Sequence, residues 1–289
     1  MIIDVHTHIF PEWVIANCRD YENGEPAFSL LYGHPKAKMS TGKDLIDAMD
    51  EAGIDRSVVF GFPWINRDLT RRHNDYVLEW AARYPNRLIP LACVLPTEDW
   101  AVDEVERCMK EGAKGAGELA VYGNCDKEKV YELYAQIAET VKAHQGILLI
   151  HANEPVGHIY PGKAPQGLDF YYEIARRAQN VPLIFAHWAG GLFFYTLLKK
   201  EVPDLFKSIF VDTAASPFLY SPKIYRIAIE ILGVEKILFG SDYPLLGLKR
   251  YRNEMETAGL TDEERRLIEG ENAAALMQGN HIGLPLRSA

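Results

Sequence analysis

Residues 147–151 read Ile-Leu-Leu-Ile-His, and residues 183–187 read Leu-Ile-Phe-Ala-His. Each is an apolar run too brief for a helix. Gly146 or Pro182 precedes it, and an ionisable side chain stops it. A run of that length without polar alternation reads as a strand covered on both faces, the condition of a parallel sheet. The same design recurs at 2–6, 57–62, 88–94, 114–119, 208–212 and 236–241, which brings the expected strands to eight.

Between these runs lie amphipathic stretches that read as helices at 41–52, 66–83, 98–111, 127–144, 169–178 and 223–232. Their punctuation agrees: Thr41 stands where an N-cap belongs, Gly53 follows the first helix, and Pro85 closes the second. Eight strands, each followed by a helical stretch, predict a closed (β/α)8 barrel, the TIM barrel, rather than an open doubly wound sheet. No Gly-x-Gly-x-x-Gly or P-loop sequence follows a strand, which weakens a nucleotide-binding alternative. The reading is one α/β domain over 1–289. It carries a long insertion at 10–40 after the first strand and a helical C-terminal tail from Thr261 onward. In a barrel, that insertion would lie over the catalytic face, where βα loops build the pocket.

Composition narrows the partners. The 289 residues are 48% hydrophobic and 25% charged, which is ample for a sizeable core. The net charge of -9, from 31 basic and 40 acidic residues, argues against nucleic acid or an anionic membrane as partner. No apolar run approaches the ~20 residues that span a bilayer. A polar motif begins at Asp4 in place of a secretory leader, so the expected location is cytoplasmic. Cys18, Cys93, Cys108 and Cys125 form no Cys-x-x-Cys pair and read as thiols in a reducing compartment.

Ionisable residues recur at the C-terminal ends of the strands. The first strand ends Asp4-Val5-His6-Thr7-His8, and a period of two places His6 and His8 on one face, where two imidazoles can bind one divalent ion. Alone, this motif serves equally well as a structural pair. His151 and His187 occupy the same position in their strands, and Asp242 follows the run Ile237-Leu238-Phe239-Gly240-Ser241. Packing requires no such set, and burying it without a cation would be costly. Glu118, in Gly115-Ala116-Gly117-Glu118-Leu119, is a further ligand candidate, or a carboxylate bridging two ions. Nitrogen and oxygen donors suit zinc first, with manganese fitting nearly as well. Trp64, Tyr122, Asn153, Trp188 and Tyr243 follow strand ends as candidate pocket walls. Arg67, Arg71, Arg72 and His73 form a basic cluster that reads as a solvated helix face or as a greeting for an acidic substrate.

With these motifs assembled, the chain resembles the amidohydrolase superfamily. The residues that carry the resemblance are Asp4–His8 as Asp-x-His-x-His, the strand-end His151 and His187, 187–191 as His-x-x-Gly-Gly, and 241–244 as Ser-Asp-Tyr-Pro. It is most similar to the amidohydrolase-2 group, which holds aminocarboxymuconate-semialdehyde and resorcylate-type decarboxylases alongside a pyrone-dicarboxylate lactonase. The stretches 83–87 and 270–273 agree with that group. The resemblance implies that His6, His8, His151 and Asp242 ligate a divalent metal. It implies that His187 works in acid–base chemistry and that Asp242 lies near the metal-bound water. It also suggests a homodimer. Glu118 departs from the decarboxylase pattern and resembles instead the bridging glutamate of TatD-like deoxyribonucleases, which leaves one or two ions open. The expectation is therefore a metal-dependent hydrolase of a small organic amide, ester or lactone, with Asp242 and His187 moving protons. The alternative is non-oxidative decarboxylation of an aromatic or muconate-type acid. A nuclease and a non-catalytic binding barrel stand behind both.

Overall fold

Among the described residues, eight parallel strands form where the apolar runs lie: β1 Ile3–His8, β2 Arg56–Phe60, β3 Leu88–Pro90, β4 Gly115–Leu119, β5 Ile147–Ile150, β6 Leu183–Phe185, β7 Ile209–Asp212 and β8 Ile237–Leu238. The structure is a computed structural model, and it describes residues 1–21, 23–179 and 181–278. Regular ladders join β1 through β3 and β4 through β8. Backbone hydrogen bonds close the two gaps. Lys114 N–H donates to the Pro90 carbonyl at 2.8 Å and Ala92 N–H to the Gly115 carbonyl at 2.9 Å. At the other seam, Val5 N–H reaches the Phe239 carbonyl and His8 N–H the Tyr243 carbonyl, each at 2.9 Å. The result is the (β/α)8 barrel that the sequence predicts.

The barrel interior is filled rather than hollow. Val5, Val58, Phe60, Ile89, Leu149 and Leu238 meet there, and Ala273 and Leu276 of the helix Asn272–Met277 plug it at the N-terminal ends of the strands. The outer faces of the strands pack against the surrounding helices, whose apolar residues recur three and four apart, as with Leu45, Ile46 and Met49. Caps fix the helix ends. Thr41 and Asp44 form a reciprocal capping box, and Gly53 closes the helix Gly42–Ala52 with a left-handed φ of 70°.

Strand bounds differ from the sequence reading at the ends. β1 runs on to His8, whereas β8 stops at Leu238. Phe239 N–H donates instead to the Ile268 carbonyl and Gly240 N–H to the Thr213 hydroxyl, so the chain leaves the ladder early. β5 ends one residue before His151 and β6 two residues before His187.

The insertion does cover the catalytic face. Its helices Glu12–Ala16 and Pro26–Tyr32 build a separate aromatic cluster, in which Phe10 and Phe28 meet Phe62 and Trp64 from the loop after β2. Phe28 and Trp64 lie 4.7 Å apart between ring centres. Glu25 accepts the backbone N–H groups of Ile65 and Asn66 at 2.8 Å each, which pins the insertion to the start of the helix Arg67–Arg83. The expected C-terminal tail is helical at Asp262–Arg266 and Asn272–Met277, with a π-turn between, and residues 279–289 lie outside the described residues. Among the described residues, no helix is long and apolar enough to cross a membrane.

Candidate active site

The C-terminal ends of the strands bring His6, His8, Glu118, His151, His187 and Asp242 into one cluster. Hydrogen bonds behind the imidazoles set their orientation. His6 Nδ1 lies 2.8 Å from Asp212 Oδ2, His8 Nδ1 lies 3.3 Å from the Gly61 carbonyl, and His187 Nδ1 lies 3.0 Å from the Ala214 carbonyl. A carbonyl or an ionised carboxylate only accepts, so in each ring Nδ1 carries the proton and Nε2 is turned inward. His151 is the reverse case. Its Nε2–H donates to Asn153 Oδ1 at 3.1 Å, an oxygen already fixed by Ala164 N–H at 2.7 Å, and Nδ1 faces the centre.

The two carboxylates occupy the space that the imidazoles surround. Glu118 Oε1 lies 3.0 Å from His151 Nδ1, 3.5 Å from His187 Nε2 and 3.7 Å from His6 Nε2. Its Oε2 is 3.8 Å from His8 Nε2. Asp242 Oδ1 stands 3.4 Å from His8 Nε2 and 3.6 Å from His6 Nε2. Most of these separations are long for hydrogen bonds. They are close to the ~3.4 Å edge of a tetrahedron whose corners lie ~2.1 Å from a metal ion. His6 Nε2 is buried and has no hydrogen-bond partner, a costly state for a lone acceptor and a natural one for a ligand atom. The donor set therefore fits a divalent metal ion.

Electrostatics in the cluster point the same way. Burial works to lower the His6 and His187 pKa values, yet the surrounding carboxylates outweigh it and lift them to about 10 and about 9. Burial likewise opposes ionisation of Glu118 and Asp242. The imidazoles win, holding Glu118 well below its usual range and Asp242 at about 2. Two buried anions thus demand positive charge at the centre. The side chain of His6 is wholly buried, whereas those of His8 and Asp242 are 13% and 18% exposed, so the site opens on their side.

The loop after β6 owes its shape to a run of left-handed residues. His187, Trp188, Ala189, Gly190 and Gly191 have φ of 54°, 58°, 53°, 58° and 90°. For non-glycine residues each such conformation costs roughly 1–2 kcal/mol, so the surroundings must over-determine it. They do. Asp212 Oδ1 accepts His187 N–H at 2.9 Å, and Trp188 Nε1–H donates to Ser216 Oγ at 3.0 Å. At Gly190, a Cβ would lie 2.2 Å from the Asn153 carbonyl oxygen, so only glycine fits. Asp242 shares the left-handed conformation, with a φ of 57°.

The sequence reading placed these six residues together but overlooked Asp212. Fully buried at the end of β7, it accepts from His6 Nδ1, from His187 N–H and, at 2.9 Å, from Ala214 N–H. Its strand-end position matched that of His151 and His187 and was the available signal. Asp4, also buried, accepts backbone hydrogen bonds, its Oδ1 taking the N–H groups of His6 and Ser241. Among the suggested pocket walls, Tyr122 stands 5.3 Å from His151 between ring centres, and Asn153 orients His151. Trp64 and Trp188 are instead fully buried packing residues, and Tyr243 is half-buried, joined through its carbonyl to His8 N–H. The insertion adds Tyr32, whose hydroxyl is pushed up by burial and by the charges of Asp242 and Glu118. The basic cluster dissolves: Arg67, Arg71 and Arg72 are exposed, with Arg72 4.1 Å over the Trp13 ring, whereas His73 is buried.

Comparison with known proteins agrees with this architecture. The family described as Amidohydrolase matches residues 3–278. Gamma-resorcylate decarboxylase of Polaromonas sp. (strain JS666 / ATCC BAA-500) is 26% identical over 284 residues, covering 80% of this chain and 86% of that protein. Among solved structures, 5-carboxyvanillate decarboxylase from Sphingomonas paucimobilis superposes with a TM-score of 0.73 at 17% identity, covering 96% and 98% of the two chains. Dihydroxybenzoic acid decarboxylase from Polaromonas sp. JS666, with bound manganese and 2-nitroresorcinol, gives 0.69 at 18% identity, covering 96% and 97%. At these identities, the structural likeness establishes the fold.

Proposed function

The chain belongs to the amidohydrolase family, and from that premise we propose that it is a divalent-metal-dependent carboxy-lyase, releasing carbon dioxide from an aromatic carboxylic acid. The observation that carries this reading is the setting of His187. Its Nδ1–H is taken by the Ala214 carbonyl, so Nε2 is the position at which the ring exchanges a proton, and it faces Glu118 at 3.5 Å inside the site. The likeness to gamma-resorcylate decarboxylase over 80% of the chain supports the substrate class.

His6, His8, His151 and Asp242 would hold the metal ion, with Glu118 as a further ligand or as a bridge between two ions. Manganese is favoured by the likeness to a manganese-bound decarboxylase, and the same donors suit zinc. When bound, the cation supplies positive charge that neutralises and orients a carboxylate or phenolate. His187 delivers a proton from Nε2 to the ring carbon that bears the carboxylate. The carbon–carbon bond then breaks, its electron pair restores the ring, and carbon dioxide leaves. His187 regains its proton from solvent through the open side beside His8 and Asp242. Tyr122 and Tyr32 offer aromatic walls for the substrate ring.

Hydrolysis is the second reading, and Glu118 is the observation that favours it. A second carboxylate at the centre lessens the attraction for an anionic substrate and suits a held water. The test is incubation of the manganese- or zinc-loaded protein with hydroxybenzoates, muconate-type acids, lactones and amides. Carbon dioxide released from an aromatic acid supports the proposal. Turnover of a lactone, ester or amide with no carbon dioxide from any acid overturns it in favour of hydrolysis.

A further inference from the structure

Two phenols reach the ligand cluster from different elements. Tyr32 ends the helix Pro26–Tyr32 of the insertion, its ring set edge-on to Phe10 at 4.9 Å and to Phe62 at 5.8 Å. Tyr122, on the loop after β4, stands tilted against His151. The charges of Glu118 and Asp242 bear on both hydroxyls, and Tyr32 bears on Tyr122, so the two share one space. Among the described residues, neither hydroxyl makes a hydrogen bond. Neither is sealed off either, in contrast to the unpartnered hydroxyls of Tyr220 and Tyr225. Two half-buried polar groups, unpaired within the chain and turned to a reacting centre, are placed for a ligand.

Lysine and arginine are missing from the same wall. Among the described residues, the ion-pair partners of Glu118 and Asp242 are histidines alone. Asp242, Glu118 and Cys93 all push the Tyr32 hydroxyl upward, and no Lys or Arg among the described residues opposes them. Lys38, Arg72 and Lys163, on segments of the catalytic side, are turned to the Leu245 carbonyl, the Trp13 ring and Glu154.

We propose that Tyr32 and Tyr122 are paired specificity residues, donating to an uncharged oxygen on the substrate ring and turning away a second carboxylate. The substrate class is then an aromatic monocarboxylic acid with a hydroxyl or alkoxy group on the ring edge remote from the metal. This rests on the carboxy-lyase reading above, which supplies the first carboxylate. A phenol with an ordinary pKa of about 10 is protonated at neutral pH and can donate there. Charge counting sets the limit on the substrate. One divalent ion balances Glu118 and Asp242, and a protonated His187 balances a single substrate carboxylate. A second carboxylate would lose its hydration in this space with no cation to pair with.

The test is calorimetric titration of the manganese-loaded full chain with three salicylates. They differ only on the ring edge remote from the metal-binding pair, carrying hydrogen, methoxy or carboxylate. An ether oxygen only accepts, so the methoxy acid isolates donation by the phenols. It is expected to bind about tenfold tighter than salicylate, as one or two neutral hydrogen bonds provide, and at least about tenfold tighter than the dicarboxylate. Tyr32→Phe and Tyr122→Phe are each expected to cut the methoxy advantage to about threefold, and the double variant to abolish it. Neither substitution removes an internal hydrogen bond, and a ratio between ligands is unmoved by a merely structural loss. A dicarboxylate that binds as tightly as the methoxy acid overturns the proposal. So does a methoxy advantage that survives in the double variant. Should the double variant fail to fold, the single variants and the wild-type order of affinities decide in the same way. Turnover is scored apart from binding: carbon dioxide from none of the acids defeats the carboxy-lyase reading, while the affinities still decide the roles of Tyr32 and Tyr122.

Discussion

Replacing Asp212 by asparagine changes one atom in the site and leaves its volume almost untouched. In the native arrangement, Oδ1 accepts two backbone N–H groups, from His187 and Ala214 at 2.9 Å each, while Oδ2 accepts His6 Nδ1–H at 2.8 Å. An asparagine that keeps its oxygen on the two amides turns an NH₂ group toward His6. The ring must then accept at Nδ1, and its proton moves to Nε2, the atom directed at Glu118 and Asp242. The flipped amide is no better, because it opposes two backbone donors with a third. Either way, a metal ion recovers His6 only by forfeiting a charge-assisted hydrogen bond, worth about 1.5–3 kcal/mol. That range equals roughly a 10- to 100-fold loss of metal affinity, the usual effect of an outer carboxylate. The assay is competitive titration of manganese or zinc against a chromophoric chelator, on wild type and Asp212→Asn, with circular dichroism to show that both are folded. An affinity within about threefold of wild type refutes the tautomer argument.

Glu118→Ala addresses the number of ions: about two metals per chain by elemental analysis, falling toward one in the variant, would make it a bridge, whereas unchanged loading would exclude that role. His73 supplies a pH effect from beside the metal cluster, outside the ligand set. Burial and the neighbouring His8 push it down to about 4, with the Ile9 carbonyl acting in the opposite direction, because its Nδ1 must accept Trp64 Nε1–H at 2.9 Å while Nε2–H donates to the Ile9 carbonyl at 2.7 Å. The unfolded chain binds that proton from about pH 6.5 downward and the folded chain only near 4, so stability is lost as pH falls through this window, by about 3 kcal/mol in all. Denaturant melts between pH 7 and 4 should show this loss in wild type and a flatter profile in His73→Gln. Gly190→Ala forces a side chain against the Asn153 carbonyl at a left-handed φ and should cost more than about 3 kcal/mol, read as a fall in melting temperature with loss of metal.

Much of this was legible because apolar strands that stop at ionisable residues leave a pattern in one dimension. β5 and β6 announce themselves, and the histidines one and two steps beyond them fall where a closed sheet converges. The shortening of β8 was not legible, since the partners that draw its backbone from the ladder, Ile268 and Thr213, are distant in sequence. Trp188 follows a strand end as a pocket residue would. Only the left-handed run, hinted at by Gly190 and Gly191, turns it into the core. His73 looked basic beside three arginines, although it belongs to the buried stripe that contains Thr70, Val77 and Trp80, a spacing already present in the sequence. Choice of reaction was the least legible feature, because Glu118 and the family likeness pull in different directions.

The aromatic cap over the mouth gives the molecule two optical reporters. Of the five tryptophans, Trp13 and Trp64 sit in the cap, while Trp80, Trp100 and Trp188 pack around the barrel. Trp64 packs at a tilt against Phe28 and is tied to His73, so its emission registers the cap lifting even when every strand stays in place. A variant with phenylalanine at Trp80, Trp100 and Trp188 would light only the mouth. Substrate arrival could then be watched separately from the melting of the barrel beneath it.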